Sequence, residues 1–560
     1  MESGPDLPIL AARDELTRAL RTYPRLLLTA PTGSGKSTQV PQFILDDLLR
    51  PEEGVVVLQP RRLACRLLAR WVATQRGTRL GEEVGYQVRF ESCIGPRTRL
   101  RYVTEGLLLR QLLTKPTLPD VRAVVLDEFH ERHLEADLML GLLRRLQETE
   151  RPDLLLVVMS ATLDVASLRD YLAPCEVRSV TGRQYPVEIS YLAKPPRDES
   201  IWDVVAAQLD RPFEGDALVF MPGSYEIQRT IRAIQERHGG RFIVLPLHGD
   251  LPVRDQEAAL ARYDRPKIVV ATNVAETSVT IDGIRLVIDS GLARISRFDP
   301  QRGFNTLWVE RISRASADQR AGRAGRTAPG QCWRLWTERD HQQRPAHELP
   351  EIKRVDLAET VLVLKALGFH RVTDFPWLET PPASALQHAE ELLMDLGALD
   401  RQGSLTPLGH EMLTYPVHPR HARMLREANL RGCVPAVALI AALTQARDLW
   451  LRNTGRPVEE ARAELFGDEH ESDFYRLMTA YRYAERHQFS PAACERVGIH
   501  AHAARQVKQI AEQFVRLASE SPQAGSQASG SPNDRDAAIR KCVLTGFVDH
   551  LARRVDKGTR

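Results

Sequence analysis

Short, unbroken apolar runs separated by amphipathic helical stretches constrain this 560-residue chain more than any other feature. Leu26–Leu28, Val55–Leu58, Val124–Leu126 and Leu154–Met159 show no polar alternation. A strand solvated on one face alternates apolar with polar residues, so continuous runs predict strands buried on both faces. Helical patterns between them predict repeated βαβ units and a parallel, doubly wound sheet. The pattern restarts after Pro186 with Ala217–Phe220, Ile243–Leu245, Ile268–Ala271 and Leu286–Ile288. Two α/β domains in series are predicted, with a boundary near residues 176–186.

From about Leu349 the strand signals vanish. Glu351–Leu367 and Ala385–Leu396 carry helical periodicity, and 397–409 reads as a small hairpin followed by a helix start, the outline of a winged-helix module. Residues 420–520 are helical in pattern and predict a bundle. Ser519–Pro532, rich in Ser, Gly, Pro and Gln, is expected to be a flexible linker. The domain expectation is therefore 1–178 and 179–345 for the α/β pair, 346–417 winged-helix, 418–518 bundle, 519–536 linker, and 537–560 for a short remainder.

The seven cysteines never come closer than 28 positions, so no CxxC zinc or dithiol site can be drawn. An odd count in a large chain fits reduced thiols, and a cytoplasmic location is expected. No signal peptide is evident. The longest apolar run, Val434–Leu443, contains Pro435, is too short for a bilayer and reads as a buried helix. The formal charge of +3 gives no global attraction to nucleic acid. Only 9 of the 76 basic residues are Lys, so each lysine is worth inspection.

The strongest motif follows the first strand: Ala30-Pro31-Thr32-Gly33-Ser34-Gly35-Lys36-Ser37-Thr38. A phosphate chain needs inward backbone amides, a helix N-terminus and one compact charge. Lys36 would reach the β- and γ-phosphates, and Ser37 would ligate magnesium. Ala30 stands where the strict pattern has Gly. Lys36 is, however, the only lysine in the first 114 residues of an Arg-rich chain. A second buried strand ends in Asp127-Glu128-Phe129-His130. Asp127 would hold magnesium and Glu128 would act as general base on the attacking water. His130 and His133 are three apart rather than four, so the zinc-protease reading fails. In the second half, Gln319–Arg326 (QRAGRAGR) is expected to open a helix whose Arg323 and Arg326 share one face and clamp a transferring phosphate. A solvated basic turn or a nucleic-acid contact is the alternative.

With these motifs in order, the chain resembles a DEAH/RHA-type RNA helicase of superfamily 2, closest to the bacterial HrpB-like branch whose second motif reads DEFH. The resemblance runs from about residue 7 to 550. It is carried by APTGSGKST (30–38), QPRRLA (59–64), TEG (104–106), DEFH (127–130), SAT (160–162), FMPG (220–223), ATNVAETSVTIDG (271–283) and QRAGRAGR (319–326). It implies two tandem RecA-like P-loop domains followed by a winged-helix and an all-α bundle. It implies ATP, and other NTPs, with Mg2+ as cofactors.

The resemblance also implies residue roles. Gln319, Arg323 and Arg326 would position water and contact the γ-phosphate. Thr280 and Asp282 would hold the ribose, with Ser278 beside the phosphates and the base between Arg70 and Tyr263. His130, Ser160 and Thr162 would couple the site to movement. Arg61, Arg62, Thr104, Gly223 and Thr272 would hold single-stranded RNA by its phosphates, without reading sequence. The hairpin Ile295–Trp308 would be a strand-separating wedge, or an ordinary hairpin packed on its sheet. Ile539–Phe547 resembles the opening of an OB-fold that in the family contacts RNA and glycine-rich-patch activators, but a five-stranded barrel does not fit before Arg560. The expectation is ATP-driven 3′–5′ translocation on RNA with unwinding of RNA or RNP and no membrane partner. A DNA translocase, and an RNA-binding assembly factor with little unwinding, are the rival readings.

Overall fold

The apolar runs form strands of two parallel sheets in a computed structural model, described for residues 7–89, 91–161, 165–182, 185–196, 199–276, 281–300, 302–446, 448–451, 454–467, 472–520 and 532–551. The first sheet holds β1 (Arg25–Thr29), β2 (Gly54–Gln59), β3 (Val84–Val88), β4 (Glu91–Cys93), β5 (Leu100–Thr104), β6 (Val121–Leu126), β7 (Leu155–Ser160) and β8 (Glu176–Ser179). Their order is β4-β3-β5-β2-β6-β7-β1-β8, parallel except for the β3/β4 edge pair. Successive residues of β2, Val55, Val56, Val57 and Leu58, are all buried, as sandwiching between helices requires.

The second sheet holds β9 (Val187–Tyr191), β10 (Asp216–Phe220), β11 (Ile243–Leu247), β12 (Lys267–Ala271) and β13 (Ile284–Asp289). The chain then makes an antiparallel hairpin, β14 (Leu292–Asp299) and β15 (Phe304–Arg311), and returns to the sheet as β16 (Gly330–Arg334). The order is β11-β12-β10-β13-β16-β9, parallel throughout. One core packs each face: Val219, Ile268 and Ile288 lie on one side, Leu218, Val269 and Val287 on the other. At the hairpin, Leu307 and Trp308 are 65% and 54% exposed.

Two compact units divide the chain. The first comprises Met1–Val355 with Phe375–Pro381, and so contains both sheets; the second comprises Asp356–Asp374 with Pro382–Arg560. Phe375 and Trp377 meet edge to face with centroids 4.4 Å apart. A Cβ on Gly141 would lie 2.4 Å from the Phe375 ring, so the bare glycine permits the helix Leu134–Thr149 to accept the returning segment.

In the second unit the bridge between Leu399 and Leu405 forms the small wing, and Thr406 caps the helix Pro407–Leu413 by accepting the Gly409 N–H at 3.0 Å. The run at Val434 forms the helix Val434–Gln445, buried from Val437 to Ala442. The C-terminal expectation needs correction. Pro532–Gly546 is a helix rather than linker and barrel strands, followed by a 3₁₀ turn at Val548–His550; residues 521–531 and 552–560 lie outside the described part. Ile539 and Cys542 are buried three residues apart, a helical spacing, and Gly546 packs against Met424 and the Arg420 carbonyl of helix Pro419–Arg431. Arg420, fully buried, donates to the Gly546 carbonyl and to both carboxylate oxygens of Asp549. Arg420→Ala leaves that carboxylate and carbonyl without their partner, and about 3–5 kcal/mol of stability should be lost from the helical unit. Thermal unfolding followed by circular dichroism checks this.

Candidate nucleotide site

β1 delivers the chain into the turn 30–35, which ends in the helix Lys36–Asp47. Gly33 and Gly35 have φ of 86° and 91°, left-handed values that suit glycine and let backbone N–H groups face one point ahead of the helix. The Ile9 N–H donates to the Ser34 carbonyl at 3.2 Å, tying the N-terminal 3₁₀ turn to the loop. Thr38 hydrogen-bonds back to the Gly35 carbonyl at 3.1 Å, and Thr32 lies on the turn itself. Lys36 is buried, with its Nζ 3.3 Å from Glu128 Oε1. The Ser34 Oγ and Glu128 Oε2 are buried and without a hydrogen-bond partner, the kind of orphaned polar atoms that a phosphate and its water would satisfy.

β6 ends at Leu126 and hands Asp127 and Glu128 to the same point. Asp127 accepts from the Gln59 side chain, from the Glu128 N–H at 2.9 Å and from the Ser37 hydroxyl. Burial, and then the neighbouring Glu128 charge, push its pKa up to about 6; Lys36 and the hydrogen bonds oppose this. A hydroxyl and a carboxylate on one another form a hard oxygen donor set of the sort magnesium takes. For Glu128 burial opposes ionisation, but the neighbouring Lys36 ammonium outweighs it and holds the carboxyl below its usual range. Glu128 has φ of 52° and Arg132 φ of 49°, two non-glycine residues in the left-handed region flanking the turn Phe129–Glu131. Strain of about 1–3 kcal/mol per such residue persists only where surroundings impose it.

His130 is buried, which lowers its pKa, so the ring is neutral and its Nδ1 can accept the Ala161 N–H at 3.4 Å. Ser160 ends β7, fully buried, and its carbonyl receives the Ala30 N–H at 3.0 Å. The second and third motifs are thus joined to the phosphate loop. Thr162 lies outside the described residues.

From the second sheet, the QRAGRAGR expectation is half corrected. The helix is Arg314–Ala321, capped by Ser313, so the motif closes a helix instead of opening one. Gln319 sits in its last turn; Arg323 and Arg326 follow in successive i+3 turns through Gly322 and Gly325. A Cβ on Gly325 would lie 2.5 Å from the Tyr185 carbonyl, which forces the close turn. Arg320 is the structural arginine, paired with Glu276 and Asp289 at 2.9 Å each. Arg323 is buried, and its Nε donates to the Glu276 carbonyl at 2.8 Å. Burial lowers the Arg323 pKa, with Arg326 adding to it, and burial lowers that of Arg326 to about 10; the Glu128 carboxylate opposes both. The two guanidiniums therefore sit within the electrostatic reach of the Glu128 carboxylate, which follows β6 of the other sheet.

Other candidates are distributed around this centre. Arg70, exposed, pairs with Glu257 of the helix Val253–Leu260; Tyr263, partly exposed, follows that helix and donates to the Ala258 carbonyl at 3.0 Å. Asp282 pairs with Arg262 at 3.0 Å, while Ser278 and Thr280 lie outside the described residues. Arg62 is exposed at the start of its helix, and Thr104 precedes the helix Glu105–Thr114. Gly223 precedes the helix Ser224–His238, so close to Arg294 that a Cβ would lie 2.5 Å from its Nε. Thr272 precedes the turn Asn273–Ala275. Arg61 bridges the sheets: its guanidinium donates to the Asn273 carbonyl at 2.7 Å and pairs with Glu131 at 2.7 Å.

Sequence reasoning missed Gln59 as the clamp on Asp127 and Glu276 as the holder of Arg320 and Arg323. Each was visible only as a polar residue at the end of an apolar run or inside a matched motif. It also missed His133, which meets Glu131 at 2.9 Å and Glu351 at 3.3 Å.

Comparison with known proteins adds the following. A model of the DEAD/DEAH box helicase family matches residues 14–171, and one of the helicase conserved C-terminal domain matches 201–328. The winged-helix and ratchet-like parts of the helicase associated domain (HA2) match 389–417 and 418–492. Two curated proteins named probable ATP-dependent RNA helicase DHX35, from Pongo abelii and Homo sapiens, are each 34% identical over 572 residues; 98% of this chain aligns with 79% and 81% of theirs. The crystal structure of Escherichia coli DEAH/RHA helicase HrpB superposes with a TM-score of 0.79 at 35% identity, covering 98% of this chain and 64% of that one. A crystal structure of E. coli DExH-box NTPase HrpB gives 0.76 at 35% identity, covering 99% and 63%. The chain thus spans a little under two thirds of those solved chains.

Proposed function

The chain belongs to the DEAD/DEAH box helicase family, in its DEAH/RHA group, and from that premise we infer that it is an ATP-dependent RNA helicase. The single observation that carries the reading is the buried Lys36–Glu128 pair, set between the phosphate loop and the arginines of the second sheet. The Lys36 ammonium pairs with Glu128; a bound triphosphate would draw it onto the phosphates and leave the carboxylate to accept a proton from water. Gly33, Ser34, Gly35 and Thr38 would cradle the phosphates, while Arg323 and Arg326 approach from the second sheet and Gln319 orients the water. Ser37 and Asp127 would hold Mg2+, which supplies charge neutralisation on the phosphate oxygens. The base would lie between Arg70 and Tyr263, with Ser278, Thr280 and Asp282 at the sugar.

Loss of the γ-phosphate would loosen the two sheets from one another, and alternate closing and opening would draw single-stranded RNA 3′ to 5′ past Arg62, Thr104, Gly223 and Thr272. His130, Ser160 and Thr162 would carry the change. We assign residues 1–178 and 179–345 to the two RecA-like domains, 346–417 to the winged helix and 418–518 to the bundle. Among the described residues no helix is long and apolar enough to cross a membrane, and a cytoplasmic location goes with this reading.

The test is ATP hydrolysis by the purified chain with single-stranded RNA or DNA of equal length and sequence. RNA should stimulate more than DNA, and unwinding should need a 3′ overhang. Stronger stimulation by DNA sinks the RNA assignment.

A further inference from the structure

The turn that carries Glu128 and His130 is strained on both sides, at Glu128 and at Arg132, and residues from far down the chain hold it there. Arg132 donates to Asp137 at 2.9 and 3.1 Å and to Glu379 at 2.8 Å. His133 lies between Glu131 and Glu351. Glu351 Oε2 accepts the Leu134 N–H at 3.0 Å, and the Glu351 N–H donates to the Arg132 carbonyl at 3.1 Å. Lys353 joins Glu379, so the two acids are connected to each other through one short stretch of chain. Arg61 closes the ring by pairing Glu131 while bonding the carbonyls of Asn273 and Val274.

The two acids have a shared address. Glu351 lies just before Val355, where the first compact unit ends, and Glu379 lies in Phe375–Pro381, the short return to that unit with chain of the second unit on both sides. Every covalent connection between the units therefore passes beside one of these carboxylates.

We propose that Glu351 and Glu379 are positioning residues for ATP hydrolysis: they fix the turn that aims Glu128. Neither touches nucleotide. The groups around His133 are Glu131 and Glu351 in contact, with Glu105, Glu135 and Arg61 nearby. Although burial disfavours it, the two contacting carboxylates raise its pKa well above the ordinary value. The protonated ring is thus one member of an ionic lattice that a single neutral substitution unbalances.

The proposal rests on the helicase reading above, and the experiment separates the two. ATPase kinetics with and without single-stranded RNA are compared for the whole chain and for Glu351→Gln, Glu379→Gln, the double variant and Glu351→Asp. Wild type should be stimulated by RNA; if it is not, the helicase reading fails. Given a stimulated wild type, each Gln variant should lose about tenfold in RNA-stimulated kcat, with KM for ATP changed less than twofold, because aim is lost and binding is not. Glu351→Asp, which keeps the charge on His133, should recover part of the loss. The positioning role is overturned if kcat stays within twofold of wild type, if KM rises while kcat holds, or if the Asp variant loses as much as Gln. Melting temperatures are read alongside, and a loss of kcat that merely follows a fall in melting temperature also overturns it.

Discussion

Lys36→Ala should reduce nucleotide turnover to background, a loss of about 10²–10³ in kcat from the missing phosphate clamp alone. The buried geometry makes the effect larger than for a surface lysine. The Nζ is the cation in contact with Glu128 beside Asp127, and without it two adjacent buried carboxyls lose that contacting counter-charge. One of them should then take up a proton, and the proposed general base is lost together with the proposed phosphate contact. Lys36→Arg should fail nearly as completely, because a planar guanidinium cannot fill a slot shaped for a compact ammonium. Single-turnover hydrolysis of ATP, with and without RNA, reads both variants. Wild-type rates in Lys36→Ala would remove the phosphate loop from the mechanism.

Glu128→Gln should separate binding from chemistry. The amide keeps the size of the side chain and an oxygen for Lys36, so ATP should bind with undiminished affinity. It cannot accept the water proton, and kcat should fall by about 10²–10⁴. Asp127→Asn behaves differently: it weakens the oxygen set that Ser37 and Gln59 hold in place, so the Mg2+ dependence of nucleotide binding should change as well. Fluorescent-nucleotide titration alongside phosphate release distinguishes the two outcomes. Equal loss of affinity and turnover in Glu128→Gln would make the residue a binding group.

The sheets were legible because burial on two faces leaves a one-dimensional mark, as in Val55–Leu58 and Ile268–Ala271. β3, β4, β5, β8, β9 and β16 left no such mark, because Gln87, Glu91, Arg101, Arg178, Glu188 and Gln331 interrupt their apolar runs. That Lys36 and the Asp127–Glu128 pair meet could be anticipated since each motif resides in contiguous residues after a buried strand. The helix direction at Gln319–Arg326 could not, because Ser313, six residues upstream, starts it and two glycines decide where it ends. Nor could Glu351 and Glu379, whose partners Arg132 and His133 are more than two hundred positions away in sequence. The C-terminal helix is marked only by the three-residue spacing of Ile539 and Cys542, which the resemblance of Ile539–Phe547 to an OB-fold opening obscures.

The return of Phe375–Pro381 to the first unit has a consequence for synthesis. A ribosome that has released residue 355 has supplied both sheets but not the Phe375 ring that seats against Gly141. The nascent first unit must wait, with that helix face uncovered, until residue 381 has emerged, and residues 356–374 of the other unit leave the tunnel in between. Domains that are contiguous in sequence can complete themselves in order as they emerge; here the timetable of the first is interrupted by the second.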